Sequence, residues 1–126
     1  MIKLERVLYM LFVSDRERAT AFYRDVIGLK VASASPRWTE LTFGDATVAL
    51  HLGGNARTTG LAFTVADIGT AVRSVEAGGG KTIKAPVPRL REALILAQMS
   101  DTEGNEFEMG QRMKVTRVSL GSPDPH

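Results

Sequence analysis

Residues 11–30 read LFVSDRERATAFYRDVIGLK, and the same pattern returns 52 positions later as FTVADIGTAVRSVEAGGGKT at residues 63–82. Each copy has a strand-like run, an aspartate at the position of a helix N-cap, apolar residues at helical spacing, and a glycine where the helix should end. Asp15 aligns with Asp67, and Gly28 aligns with Gly80. An internal repeat of this kind predicts two copies of one structural module.

Three strand-like segments follow each helix of the repeat. In the first copy they are KVASAS (30–35), RWTELTF (37–43) and ATVALHL (46–52), and in the second they are KTIKAP (81–86), EALILAQM (92–99) and NEFEM (105–109). The linker GGNARTTG (53–60) is rich in glycine and threonine and holds little that packs. The sequence therefore predicts an α+β fold in one domain (1–110) built from two βαβββ modules (4–53 and 60–110), followed by a C-terminal tail (111–126).

Composition narrows the classes of function. The 126 residues are 44% hydrophobic and 24% charged, which is enough for one core, and no apolar run is long enough to span a membrane. We expect a cytoplasmic protein without a membrane partner. The net charge of +2 comes from scattered basic residues, which argues against nucleic-acid binding. The absence of cysteine from the sequence leaves only His, Asp and Glu side chains as ligands for a metal ion.

Alternation along the strands predicts which side chains lie on the face opposite the helix. In GLAFTV (60–65) the large apolar residues alternate with small or polar ones, so the large residues should face the helix. The opposite face then carries Gly60, Ala62 and Thr64. Moving back by 52 positions places Leu8, Met10 and Phe12 on the equivalent face of the first module.

Two polar residues fall on the same parity in the last strand of each module. An offset of 57 aligns His51 with Glu108, and a carboxylate inside a cavity needs a partner. We therefore expect an interior concavity, where the two side chains form a hydrogen bond or ion pair, hold part of a metal site, or serve separately as polar wall residues. Glu106 is expected to be exposed at the rim.

The paired signatures VSD…AFYRDVIGLK and VAD…DTEGNEFEM closely resemble the vicinal oxygen chelate superfamily over residues 4–110. That superfamily includes glyoxalase I, extradiol dioxygenases, fosfomycin-resistance enzymes and bleomycin-resistance binding proteins. The resemblance implies two modules that form a cup-like, incomplete barrel, usually in a homodimer.

The resemblance also implies four metal-ligand positions, which are Leu8, His51, Gly60 and Glu108 in this sequence. His51 and Glu108 are suitable ligands for a divalent ion, whereas Leu8 and Gly60 have no side-chain donor. An ion held here would need waters, a residue from a second subunit or the substrate itself to complete its coordination.

The orientation of Trp38 is open at the level of sequence. Its parity with Glu40 and Thr42 favours the cavity, because Leu41 and Phe43 suit the helix side. An offset of 57 nevertheless aligns Leu41 with Gln98, a position that the family would turn inward.

Two main functions fit these observations. The first is a binding protein that sequesters a largely apolar or aromatic molecule, in the manner of antibiotic resistance, without a cofactor. The predicted ligand-binding residues are Leu8, Met10, Phe12, Trp38, His51, Ala62, Thr64, Gln98 and Glu108. The alternative is a lyase, isomerase or dioxygenase with a divalent metal on His51 and Glu108. A third option is metal-free acid–base catalysis by Glu108.

Overall fold

A computed structural model describes residues 1–114 and confirms the order βαβββ in both halves of the chain. The first module contains β1 (Tyr9–Val13), α1 (Arg16–Ala21) continued by a π-helix (Phe22–Ile27), β2 (Lys30–Ser35), β3 (Trp38–Phe43) and β4 (Ala46–Leu52). The second contains β5 (Thr58–Thr64), α2 (Ile68–Ala77), β6 (Lys81–Arg89), β7 (Leu94–Ser100) and β8 (Glu106–Arg112). Most of the predicted tail, from residue 115 onward, lies outside the described residues.

Each module forms its own four-stranded mixed sheet. The strand orders are β1-β4-β3-β2 in the first sheet and β5-β8-β7-β6 in the second. The pairs β1/β4 and β5/β8 are parallel, and the remaining neighbours are antiparallel. The sheets do not close into a barrel, which confirms the predicted α+β class with an incomplete barrel.

Both helices begin at the predicted aspartates. The Asp15 carboxylate accepts a hydrogen bond from the backbone N–H of Arg18 at 3.0 Å, and Asp67 accepts one from Thr70 at 3.1 Å. These side chains pair donors that a helix N-terminus leaves without an internal partner. Gly28 ends the first helical segment at a φ of +96°, a left-handed conformation that glycine adopts without steric cost.

The π-helix is a feature that the sequence pattern did not predict. The backbone N–H of Gly28 donates to the carbonyl of Tyr23, five residues earlier, instead of closing an ordinary α-helical turn. Phe22 and Tyr23, the first two residues of the π-helix, are both buried in the core, with 2% and 0% of their surfaces exposed.

The helix-covered faces of the two sheets share one hydrophobic core. Phe22 of the first module lies 6.4 Å from Phe107 of β8, measured between ring centroids. Val26 packs so closely on Gly78 at the end of α2 that a Cβ there would lie 2.3 Å from its methyl group. The opposite faces of the sheets point away from this core, as the exposure of Met10 and Glu108 shows.

A turn at residues 101–105 joins the second module to the first through Glu103. Its Oε1 accepts hydrogen bonds from the backbone and hydroxyl of Ser14 and from the backbone of Asp15, at 2.8 to 3.0 Å. Its Oε2 accepts from Arg18 Nε at 2.7 Å, and none of the Glu103 side chain is exposed. Burial works against this charge, but the hydrogen bonds from Arg18 and Ser14 outweigh it and hold the pKa of Glu103 at about 2.

The same turn carries a buried pair between the modules. The Tyr23 hydroxyl donates to Asp101 Oδ2 at 2.7 Å, and the other carboxylate oxygen accepts from the backbone N–H groups of Glu103 and Asn105. Burial raises the pKa of Asp101 despite these donors, and burial also raises the pKa of Tyr23. The pair therefore fixes the helix of the first module on the second sheet.

Candidate functional site

Three rings stand in a row across the outward face of the first sheet. Phe12 pairs with His51 in the β1/β4 register, and Trp38 pairs with His51 in the β3/β4 register. The His51 ring meets both neighbours edge to face, at centroid distances of 5.4 Å to Phe12 and 5.8 Å to Trp38. We call Phe12, His51 and Trp38 the aromatic row.

The middle ring of the aromatic row holds an unpaired polar atom. His51 Nδ1 is buried and has no hydrogen-bond partner among residues 1–114. Buried polar atoms in folded proteins are nearly always paired, so this nitrogen calls for a partner such as a bound water or another polar group.

A hydrogen bond to Glu40, which is itself bound by Arg6, fixes the Trp38 ring. The Glu40 carboxylate accepts two hydrogen bonds from the Arg6 guanidinium, at 2.7 and 3.0 Å, and one from Trp38 Nε1 at 2.8 Å. The hydrogen bonds from Arg6, and then the one from Trp38, hold the pKa of Glu40 at about 2. Met10 lies on the same face and is 41% exposed. Sequence analysis did not predict that Arg6 and Glu40 contribute to this site, although the shared strand parity of Glu40 and Trp38 was a usable signal.

The linker between the modules packs against Phe12, contrary to the expectation that it holds little that packs. The Arg57 guanidinium carbon lies 5.3 Å from the centre of the Phe12 ring. A Cβ on Gly54 would come within 2.5 Å of the same ring, so the backbone passes directly over it. A cavity of about 270 Å³ opens beside this contact, between Met10 and Phe12 of β1 and Gly60 of β5.

The predicted residues of the second module lie on the outward face of the second sheet. Ala62, Glu108 and Gln98 pair across β5, β8 and β7, and Thr64 lies further along β5. Glu106, expected to be exposed, is instead partly buried. It accepts hydrogen bonds from Gln98 at 2.9 Å and from the Thr58 hydroxyl at 3.2 Å.

His51 and Glu108 lie on different sheets of one chain. Within the described range, 1–114, no hydrogen bond or ion pair joins them, and no group of three or more His, Asp or Glu side chains is placed to hold a metal ion. Leu8 precedes β1, and the backbone N–H of Gly60 donates to the Tyr9 hydroxyl. The donor set of one chain therefore does not fit the divalent ion that the resemblance implies.

The two modules differ in register by two residues. Phe12 pairs with His51, whereas Thr64, its counterpart at an offset of 52, pairs with Gly110 and not with Glu108. β5 also has an irregularity between residues 58 and 62, where its pairing with β8 shifts by two residues. Strand parity survives a shift of two residues, so the outward positions were still predicted correctly.

The conflict over Trp38 resolves in favour of strand parity. Leu41 is fully buried in the core, which turns Trp38 to the outward face beside His51. Gln98 is also on an outward face, so the offset of 57 does not hold for these two strands.

Comparison with solved structures finds the same fold. A glyoxalase/bleomycin resistance protein/dioxygenase family enzyme from Burkholderia phytofirmans PsJN superposes with a TM-score of 0.73 at 21% identity, covering 84% of this chain and 97% of that one. TnmS3, an antibiotic binding protein from Streptomyces sp. CB03234, gives a TM-score of 0.68 at 22% identity and coverages of 89% and 98%. TioX from Micromonospora sp. ML1 gives 0.68 at 17% identity, with coverages of 87% and 100%.

Comparison at the level of sequence identifies the family of this chain. A search of curated proteins found no significant match. A family profile, in contrast, matches residues 6–109, which include both modules with all eight strands except the last residues of β8. The chain therefore belongs to the Glyoxalase/Bleomycin resistance protein/Dioxygenase superfamily.

Proposed function

We propose that this protein binds and sequesters a small, largely apolar or aromatic molecule on the outward face of its first sheet. The observation that carries the proposal is the aromatic row, in which His51 offers a buried, unpaired Nδ1 between two rings. Rings supply large contact areas at little cost in side-chain entropy, and one well-placed polar atom gives a bound molecule its orientation.

The site is built to stay in place before a ligand arrives. Glu40 anchors Trp38 through its indole N–H, and Arg6 anchors Glu40 in turn. Fixing the rings in advance lowers the entropy that binding must remove. Met10 at the edge of the row adds an adaptable apolar side chain.

We further propose a homodimer that completes the cup. In one chain the predicted lining residues lie on two outward faces, and a second copy is the simplest means of placing one face opposite the other. Exposed apolar side chains near the N-terminus, which favour association, are Met1, Ile2, Leu4 and Val7.

None of the helices within residues 1–114 is long and apolar enough to cross a membrane. A cytoplasmic location fits the proposal.

Trp38 is the single tryptophan of the sequence, so its fluorescence reports on this site alone. The test is a titration with N-phenyl-1-naphthylamine, a neutral aromatic probe, followed by quenching of Trp38. We expect saturable quenching that weakens about tenfold in a Phe12→Ala variant, which corresponds to about 1.4 kcal/mol.

The control is Phe43→Ala, because Phe43 is 72% exposed and borders a different apolar cavity of about 400 Å³. The control variant should bind the probe as the unmodified protein does. Loss of binding in Phe43→Ala but not in Phe12→Ala would move the site to that other cavity and overturn the proposal.

A further inference from the structure

Arg57 is a guanidinium held in place without a hydrogen-bonded partner for its side chain. It lies over the Phe12 ring at 5.3 Å, and its side chain makes no hydrogen bond or ion pair within residues 1–114. In contrast, Arg6, Arg18 and Arg24 each bind a carboxylate at 2.7 Å. Arg57 therefore presents a positive charge at a defined position over Phe12, with its N–H donors available to a ligand.

Stacking on an aromatic ring uses the flat face of a guanidinium and leaves its edge of N–H donors open. That edge has the geometry to bind two oxygens of a carboxylate, sulfonate or phosphate at once. The backbone N–H of Arg57 donates to Asn105 Oδ1 at 3.2 Å, and its carbonyl accepts from Glu106, so the residue is fixed at its main chain as well.

Most of the polar side chains around Arg57 already have hydrogen-bond partners. Asn105 Nδ2 donates to the carbonyl of Phe12, and the Tyr9 hydroxyl oxygen accepts from the backbone N–H of Gly60. The Glu106 carboxylate near the linker accepts from Thr58 and Gln98. Arg57 is therefore the cationic group at this end of the aromatic row, in the described part of the chain, with open capacity for an anion.

We propose that the ligand is a planar aromatic molecule with an anionic substituent, whose rings contact the aromatic row and whose anion binds Arg57. This inference rests on the proposed function and adds the chemical class of the ligand. Phe12 is the structural link, because it touches Arg57 on one side and His51 on the other. The 270 Å³ cavity beside it, bordered by Arg57, gives the substituent room.

The test compares two probes that differ in one group. 8-Anilinonaphthalene-1-sulfonate carries a sulfonate, and N-phenyl-1-naphthylamine has the same rings without it. Both are titrated against the full chain by Trp38 quenching, in the unmodified protein and in Arg57→Gln. We expect the sulfonate probe to bind at least tenfold more tightly than the neutral one, and Arg57→Gln to remove that preference while changing the neutral probe less than twofold. Raising the salt concentration should weaken the sulfonate probe selectively.

The matched control is Arg91→Gln, an exposed arginine on the turn between β6 and β7, which should leave both affinities unchanged. Equal affinity for the two probes, or a sulfonate preference that survives Arg57→Gln, would overturn the inference while leaving the proposed function intact. If neither probe quenches Trp38, the proposed function fails, and the inference fails with it.

Discussion

Replacing Glu103 with glutamine tests whether one buried carboxylate holds the two modules together. The change keeps the shape of the side chain but removes its charge and one acceptor oxygen. Donors from Ser14, Asp15 and Arg18 then lose their best partner in a position with no solvent exposure. Charge-assisted bonds to a buried acceptor are among the more costly ones to lose.

The magnitude follows from the pKa of Glu103. A value held at about 2, against 4.5 for the free side chain, measures how strongly the folded state favours the carboxylate. Discounted for solvent screening at Arg18, whose side chain is 53% exposed, this corresponds to about 2 kcal/mol of unfolding free energy at neutral pH. We therefore expect Glu103→Gln to lower the unfolding free energy by about 2 kcal/mol and the melting temperature by roughly 6 to 10 °C.

The pH dependence has a definite sign. Because folding lowers the pKa of Glu103, its contribution is complete above about 4.5 and is lost as the pH falls towards 2. Urea denaturation followed by circular dichroism at pH 7 and pH 3 should show a variant deficit at pH 7 that shrinks at pH 3. Glu17→Gln, at a side chain that is 89% exposed, serves as the control. A deficit below about 0.5 kcal/mol at pH 7, within the usual range for surface changes, would refute the reasoning.

Three further predictions concern the pair between the modules, the metal and the assembly. Tyr23→Phe removes the hydroxyl donor to buried Asp101 and should cost about 1 to 3 kcal/mol in urea denaturation, whereas an unchanged midpoint would show the pair to be dispensable. Protein purified without a metal-affinity tag should carry well under one equivalent of tightly held metal by elemental analysis, because His51 and Glu108 lie on separate sheets. Stoichiometric metal after dialysis would favour the metal-dependent enzyme instead. Light scattering should give about twice the chain mass of 13.7 kDa, and a monomer at all concentrations would exclude the proposed dimer.

Local patterns in the sequence predicted the architecture well. The repeat predicted the order of elements, Asp15 and Asp67 predicted both helix starts, and alternation along β5 predicted which residues leave the core. These signals are short-range, because a cap or a strand face depends on residues a few positions apart.

Features that depend on long-range contacts were missed. Nothing near Arg57 in the sequence indicates that it will lie over Phe12, which is 45 positions away, and Glu103 reaches Ser14 across 89 positions. The incomplete barrel that the resemblance implied is confirmed, and the predicted lining residues of the two modules lie on the outward faces of separate sheets. Whether His51 and Glu108 share a cavity depends on assembly and stays a prediction.

The central claim is that the outward face of the first sheet binds the ligand, and nuclear Overhauser contacts from a bound aromatic probe test it most directly. In a complex with N-phenyl-1-naphthylamine, we predict contacts from the probe ring protons to the side chains of Phe12, Trp38 and His51. Contacts to Phe43 and Leu61 of the 400 Å³ cavity instead, with none to the aromatic row, would contradict the account.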